Sequence, residues 1–482
     1  MSRLSALGLI VCLVLAGCGI QVRNLPAPVV PAKPTSFADP IAARPNPTLP
    51  PVNTAPLVLA PGQTVVTITF DDGRASNASG AEMLTSHHLP GTFFINSGNI
   101  GKPGYLTMRQ LDGVATEGHE IGGHTVSHPE LVTDTTEEIA RQICDDRETL
   151  LGWGFQVRNF AYPFSSASPE IEALAHDCGY NSARSLGELK TFHVPEGWDM
   201  SDPLNSCAAC TWSETVPPQD PMYTRAPAQV RSNWTLADLK RQVTNATEGD
   251  GSPTSGDGGW VQLTFHGICP SDCSDITTPA AEFDHFVTWL ADQQAQGKLI
   301  VRTVGDVIGG PVAPPVLGPP PTTVVVNPSL EATQDGVPSC WMRAAYGNNT
   351  PEFSIVGSAH TGTVAERLVM SDYVDGGARL LSTEDLGTCS LAVTPGMRYT
   401  IGAWYTSTVP TLFEEQYRIA RGTWVYGTAS PVFNPVTAYT PASWTLPPIP
   451  DGVTAISFGL ILQQNGELVT DDYSMTPGAP RP

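Results

Sequence analysis

Val65-Val66-Thr67-Ile68-Thr69-Phe70-Asp71-Asp72-Gly73 runs six β-forming residues into two adjacent carboxylates and a glycine. The apolar, β-branched part predicts a buried strand, and the Asp-Asp-Gly that closes it predicts a turn at the strand's end. Comparable short runs follow at Thr92-Phe93-Phe94-Ile95, Phe160-Ala161-Tyr162, Trp260 to Phe265 and Leu299 to Arg302. Amphipathic stretches lie between them: Thr135 to Leu151 carries Ile139, Ile143 and Leu150 at helical spacing, and Ala280 to Gln296 carries Phe283, Phe286, Val287 and Leu290. Alternating strands and helices predict an α/β fold with a parallel sheet, and the length suits a (β/α) barrel. Side chains that do chemistry then belong at the C-terminal ends of strands, where Asp71 and Asp72 stand.

Outside this body, residues 62–310, the chain changes character. Residues 1–18 hold a short apolar run, Leu7 to Leu15, that is too short to span a bilayer and reads as a secretory signal. It ends in Leu15-Ala16-Gly17-Cys18, which resembles a bacterial lipobox. A diacylated Cys18 would anchor the protein to the outer side of a bacterial membrane, the alternative being a cleaved signal and a secreted protein. Residues 19–61 are a Pro-rich tether and 311–323 a Pro-rich linker. Residues 324–482 lack a long helical period; runs such as Arg398 to Tyr405 and Ile456 to Leu462, spaced by Gly, Pro and Asp turns, predict an all-β antiparallel sandwich.

Composition narrows the function. The 482 residues include 25 Lys+Arg against 47 Asp+Glu, a net charge of −22, so the basic stripe that nucleic-acid binding requires is missing. A hydrophobic fraction of 41% rules out general disorder, and no heptad pattern supports a coiled coil. Beyond the signal region eight of the ten cysteines remain, an even number that favours disulfides in an exported chain. Cys340 and Cys389 are the natural pair in the C-terminal third, and Cys144 and Cys178 could join neighbouring helices. Cys207, Cys210, Cys269 and Cys273 read either as disulfides of open connectivity or as a structural zinc site.

Two further features carry chemistry. His124-x-x-x-His128 has the spacing that sets two imidazoles on one side of a helical turn. Two histidines with one aspartate make a hydrolytic metal site that leaves positions for water and substrate. His266 closes the apolar strand Leu263-Thr264-Phe265, where a strand-end histidine beside a metal site is the expected general acid. A phosphoesterase is disfavoured because no cationic cluster accompanies these residues.

Thr69-Phe70-Asp71-Asp72-Gly73, His124-Thr125-x-x-His128, Ala161-Tyr162-Pro163-Phe164 and His266, in this order, resemble the NodB-type polysaccharide deacetylases, the family-four carbohydrate esterases, over about residues 62 to 308. The resemblance implies a distorted (β/α) barrel and metal-dependent hydrolysis of acetyl groups on polysaccharides, most often on N-acetylglucosamine. It further implies a divalent metal, zinc by family habit, on Asp72, His124 and His128, with Asp71 as general base and His266 as general acid. The backbone N–H of Phe164 becomes an oxyanion donor, with Tyr162, Trp234 and Thr264 around the pocket. Three departures stand out. Ala161 occupies the place of the usual base-orienting arginine, for which Arg225 is the candidate substitute. Ser232-Asn233-Trp234 matches the fourth motif poorly, and Thr264 replaces the usual Leu, which would make the wall for the acetyl methyl more polar.

In the C-terminal region Asn327 to Glu331, Pro395 to Thr400 and Asp471 to Met475 resemble jelly-roll carbohydrate-binding modules. Trp404, Trp424, Tyr426 and Trp444 are either a sugar-stacking platform or core. A structural calcium on Glu331 with Asp471 or Asp472 is a further expectation of that resemblance. The leading expectation is a membrane-tethered deacetylase of an envelope glycan, chitin-like chain or peptidoglycan. The alternatives are a carbohydrate-binding surface lipoprotein without turnover and an O-acetyl esterase of the xylan type.

Overall fold

The computed structural model describes Phe37, Asp39, Ile41 and residues 44–191, 210–248, 258–270 and 273–478. The signal, Cys18 and Cys207 lie outside the described residues. Ser36–Pro482 forms one compact unit, and among the described residues no helix is long and apolar enough to cross a membrane.

The N-terminal half is a parallel half-barrel. Its strands are β1 (Thr64–Phe70), β2 (Thr92–Ile95), β3 (Glu120–Gly123), β4 (Asn159–Ala161), β5 (Ser182–Arg184), β6 (Gly259–Phe265) and β9 (Leu299–Val301), with a small pair β7 (Gly267–Cys269) and β8 (Thr277–Pro279) beyond β6. The order is β5-β4-β3-β2-β1-β6, and β9 also pairs with β1. Helices α1 (Asn77–Ser86), α2 (Met108–Thr116), α3 (Thr136–Gly152), α4 (Pro169–Asp177), α5 (Leu236–Thr247), α6 (Ala280–Ala295) and α7 (Val304–Ile308) supply the remaining layer. All seven residues of β1 are buried, as in a strand covered on both faces. Phe70 stacks on Phe93 with ring centroids 5.0 Å apart and meets Phe265 and Phe283 at 5.6 and 5.5 Å. Gly80 on α1 admits that ring, since a Cβ there would lie 2.5 Å from its edge. Thr107, Thr135, Thr235 and Thr303 cap α2, α3, α5 and α7 with their side chains, which fixes where each helix starts.

The C-terminal half is a sandwich of two antiparallel sheets. A small hairpin, β10 (Thr333–Gln334) with β11 (Val337–Pro338), precedes it. One sheet runs β12 (Trp341–Tyr346), β15 (Gly377–Ser382), β21 (Ala455–Leu462), β18 (Leu412–Ile419), β19 (Thr423–Ala429), with β16 (Leu391–Ala392) beside β21. The other runs β13 (Thr350–Val356), β14 (Ala365–Ser371), β22 (Gly466–Pro477), β17 (Tyr399–Ser407), β20 (Val436–Thr445). Leu380, Phe413 and Phe458 from the first sheet and Leu368, Ile401 and Tyr405 from the second fill the core.

One expectation for this half changes. Trp404 and Trp444 belong to one sheet and Trp424 and Tyr426 to the other, so the four do not form a single platform. Trp444 packs against the core, and Trp404 is covered by the His360 ring, stacked at 3.8 Å. The carboxylates expected to hold calcium meet one loop of the sandwich. Glu331 accepts hydrogen bonds from the Thr363 and Val364 amides, Asp471 from the His360 and Thr361 amides, and Asp472 from the Thr361 hydroxyl. These carboxylates tie down the loop 360–364.

The linker 311–323 and the described part of the tether lie along the folded body. Proline-rich chain leaves its carbonyls without internal partners. Buried arginines take them up: Arg147 donates to the carbonyls of Ala313 and Pro314, and Arg141 to those of Pro319 and Pro320. The described part of the tether behaves likewise. Arg44 donates to the Trp153 carbonyl, Arg158 to that of Asn53, and Leu57 N–H to that of Val307. The halves also touch directly, with Arg141 donating to Thr388 Oγ1 at 2.7 Å and Leu386 N–H to a Glu138 carboxylate oxygen at 2.8 Å.

Cys144–Cys178, Cys340–Cys389 and Cys269–Cys273 are disulfides, and Cys210 is disulfide-bonded as well. The zinc alternative for the last group therefore falls: the sulfurs of Cys210, Cys269 and Cys273 are already bonded.

Candidate active site

β1 ends at Phe70, and the next two residues are carboxylates with different surroundings. Asp72 sits at φ 72°, a left-handed conformation that turns its side chain toward the loop after β3. Its Oδ2 accepts two hydrogen-bonding contacts from Arg74, Nε and Nη2 each at 2.9 Å. Its Oδ1 is buried without a hydrogen-bond partner and faces His124 Nε2 at 3.6 Å and His128 Nε2 at 3.4 Å.

The two histidines are not on a helix, contrary to the spacing argument. They occupy the loop directly after β3, where Thr125 at φ 71° and His128 at φ 63° interrupt any helical turn. The loop closes by a hydrogen bond from His128 N–H to Thr125 Oγ1 at 2.9 Å, which brings the rings to 4.8 Å. His124 Nδ1 lies 2.7 Å from the Ala161 carbonyl. A carbonyl only accepts, so Nδ1 carries a proton and Nε2 is the nitrogen that faces the site. Asp146 on α3 accepts from the backbone N–H groups of His124 and Ser97, and burial brings its carboxyl up to about 7 against those two donors. Gly123 makes this close approach workable, since a Cβ there would collide with the Tyr180 hydroxyl.

Charge at the site follows from this packing. Burial alone would raise the Asp72 carboxyl, but the contact with His124 and its charge hold it well below the usual carboxylate range. Burial and His124 bring His128 down to about 4, a neutral ligand at ordinary pH. The donor atoms of Asp72, His124 and His128 all lie within 4.8 Å of one another, the one such group among the described residues. An orphaned carboxylate oxygen, a histidine whose Nε2 faces the site and a neutral histidine fit a divalent cation of the zinc class.

Asp71 is held by a residue that the motif reading missed. Arg184, the last residue of β5, donates from Nη2 to Asp71 Oδ2 at 2.6 Å, and both side chains are buried. Arg184 Nη1 donates to Thr264 Oγ1, and its guanidinium lies 5.2 Å from the Phe94 ring centroid. Asp71 Oδ1 remains buried and without a hydrogen-bond partner. Arg225 is not the substitute: it makes a two-point contact with Glu214, at 2.8 and 2.7 Å. Thr264 is also reassigned. Its side chain is fully buried, accepting from Arg184 and from Thr69 Oγ1 at 3.2 Å, so it braces the arginine instead of forming a wall for a methyl group.

His266 follows β6, and Asn77 Nδ2 donates to its carbonyl at 3.0 Å. Burial pushes its imidazole below the usual range while Asp71 and Asp72 oppose the shift, and its Nδ1 has no hydrogen-bond partner. Phe164 takes φ 54° in the turn after β4 and is 61% exposed, its ring set edge-on to His128 at 4.6 Å. Tyr162 and Trp234 are both buried in the half-barrel core, and the Tyr162 hydroxyl donates to the Met222 carbonyl. Burial in the core departs from the pocket-lining role expected of these two.

Residues 59–183 match the polysaccharide deacetylase family, a stretch that holds Asp71, Asp72, His124 and His128 and stops one residue short of Arg184. A chitooligosaccharide deacetylase of Azorhizobium caulinodans is 36% identical over 124 residues, 24% of this chain and 56% of that protein. The peptidoglycan-N-acetylglucosamine deacetylase PgdA of Listeria monocytogenes is 31% identical over 110 residues, 22% of each. The chain thus spans about half or less of these curated relatives. A family 4 carbohydrate esterase from Streptomyces lividans, solved with acetate, aligns at 15% identity over 52% of this chain and 98% of that one, with a TM-score of 0.32.

Proposed function

We propose that the protein hydrolyses acetyl groups from an N-acetylglucosamine-containing polysaccharide with the aid of a divalent metal, zinc in the first instance. The observation that carries this reading is the pairing of two differently held carboxylates. Asp72 offers an orphaned Oδ1 to the two histidines, while its neighbour Asp71 is fixed by Arg184 and keeps Oδ1 unused. Asp72, His124 and His128 would hold the cation, and when bound it would supply Lewis acidity toward an acetyl carbonyl and a water. Asp71 then accepts the proton of the attacking water, and Arg184 keeps its carboxylate aimed. His266 returns a proton to the departing nitrogen, so acetamide and water become acetate and amine with protons balanced. The backbone N–H of Phe164 is assigned to the developing oxyanion.

The same attack on an ester would release O-acetyl groups, and matches to relatives named for chitooligosaccharide and peptidoglycan substrates favour the amide. A binding-only lipoprotein loses its main support, because the missing third-motif arginine has a replacement in Arg184. The sandwich is proposed to hold the glycan, and Cys18 to carry the lipid that keeps the protein at the outer side of the membrane. Mass spectrometry of N-acetylglucosamine hexamer after incubation with zinc-loaded protein tests the activity: successive loss of acetyl groups is expected, and an unchanged hexamer overturns it.

A further inference from the structure

Each of the two carboxylates that follow β1 is gripped by its own arginine, and at the same oxygen. Asp71 Oδ2 accepts from Arg184 Nη2 at 2.6 Å, and Asp72 Oδ2 accepts from Arg74 Nε and Nη2, each at 2.9 Å. In both residues Oδ1 is buried with no hydrogen-bond partner among the described residues. Arg184 steadies the proposed base. Arg74 grips a residue assigned to the metal, and no step of the proposed hydrolysis uses it.

The local sequence puts Arg74 in this place. Asp72 and Gly73 lie at φ 72° and 66°, two successive left-handed residues, so the chain doubles back and the next side chain returns to the carboxylate. The turn is stapled on both sides of Arg74: Leu106 N–H donates to the Gly73 carbonyl and Ala75 N–H to the Gly104 carbonyl, each at 2.9 Å. The stem passes Gly267, where a Cβ would stand 3.8 Å from Arg74 Cδ. The Arg74 side chain is 34% exposed, against 1% for Arg184. A pair this open to water adds little to stability, so the contact aims Asp72 more than it holds the fold.

A carboxylate meets a divalent cation through one oxygen or through both. Zinc favours four ligands with nitrogen among them, whereas manganese belongs with the cations that favour six ligands rich in oxygen. With Oδ2 engaged by two donors, Asp72 turns Oδ1 alone toward His124 Nε2 and His128 Nε2, at 3.6 and 3.4 Å. A guanidinium keeps its charge at every ordinary pH and its fork is rigid, so the restriction is permanent. We propose that Arg74 is a positioning residue that confines Asp72 to one ligating oxygen and thereby favours a four-coordinate cation of the zinc class over an oxygen-seeking one of the manganese class. The inference rests on the reading of Asp72, His124 and His128 as a metal site.

The charge of Arg74 and its grip have separable effects. A positive guanidinium repels all divalent cations alike, so loss of the charge alone changes zinc and manganese affinity by a common factor. The ratio of the two affinities cancels that factor and keeps the effect of the freed oxygen. Without the fork Asp72 can present both oxygens, a gain for manganese, and it loses its aim, a cost for zinc.

Competition dialysis of the full chain reads this ratio without any activity assay. Zinc-loaded protein is dialysed against rising manganese, and the manganese excess that displaces half of the zinc is compared between the parent and Arg74→Met, which keeps an unbranched stem beside Gly267 and removes the fork. The excess should fall about tenfold or more in Arg74→Met. Arg74→Ala should give the same fall and decides the matter where Arg74→Met is shown by circular dichroism to be unfolded. An equal or larger excess in the folded variant overturns the role of Arg74 and leaves the metal site standing. A parent that takes up neither zinc nor manganese overturns the metal reading and this inference together.

Discussion

Arg184 Nη2 lies 2.6 Å from Asp71 Oδ2, joining the end of β5 to the end of β1 across the half-barrel. The two side chains are among the most buried charges in the protein, and the pair is braced by Thr264 and by the face of Phe94. A buried guanidinium with one donor on Asp71 Oδ2 and another on Thr264 Oγ1 fixes one carboxylate oxygen and leaves the other for chemistry. The arginine absent at position 161 is thus replaced from a different strand.

Arg184→Ala should therefore cost both stability and rate. Leaving Asp71 buried without its partner should destabilise the fold by about 3–5 kcal/mol. Where the variant remains folded, kcat should fall about 10²-fold through loss of carboxylate orientation. Arg184→Lys, which keeps charge but not the two-point grip, should fall between. Thermal melts and acetate kinetics on the three proteins check this, and an Arg184→Ala enzyme with parental kcat would remove the orienting role.

Arg225→Ala makes the opposite prediction. Its guanidinium is engaged by Glu214, away from Asp71. The variant should melt earlier, because Glu214 is buried, yet its kcat at a temperature where it is folded should match the parent. A drop in kcat comparable to that of Arg184→Ala would restore Arg225 to the site.

The candidate metal site predicts one cation per chain. Equilibrium dialysis with zinc should give a stoichiometry near one for the parent and a marked loss of affinity for His124→Ala and for Asp72→Ala. Chelation should lower the melting temperature of the parent, because a ligand bound only by the folded state stabilises it. A melting temperature indifferent to chelator, with no bound zinc, contradicts the site.

Stability should also vary with pH through Glu138, at the contact between the two halves. Burial, with the nearby Asp385 charge, brings its carboxyl up to about 7. A carboxyl raised in the folded state holds its proton more tightly than in the unfolded chain, so stability falls as pH rises from about 4.5 to about 7 and then levels. Glu138→Gln keeps an acceptor for the Leu386 N–H and removes this dependence. It should equal the parent near pH 4 and exceed it above pH 7 in denaturant titrations; equal stability at pH 8 would refute the assignment.

The legible parts of the fold were those whose signal is local. β1, β2, β6 and β9 were found within a residue at each end because their apolar runs match strand length, and α3 and α6 because their apolar residues recur at helical spacing. β3 was missed because Glu120-Ile121-Gly122-Gly123 has one apolar side chain and two glycines, the latter present for close packing. The two histidines were then assigned to a helix when positive φ at Thr125 and His128 sets their geometry. Arg184 was missed because its partner is 113 residues away, and no local pattern distinguishes a bracing arginine at the end of a three-residue strand. Arg74, two residues beyond Asp72, was within reach: a cation so close to a carboxylate is a visible signal.

The most direct measurement is acetate release from N-acetylglucosamine hexamer by full-length zinc-loaded protein, set beside chelated protein and beside Asp71→Asn. The account predicts release by the loaded protein, none after chelation, and a fall of about 10²–10⁴ for Asp71→Asn, the usual range for loss of a general base. Undiminished release by Asp71→Asn, or release that persists with chelator, would contradict it.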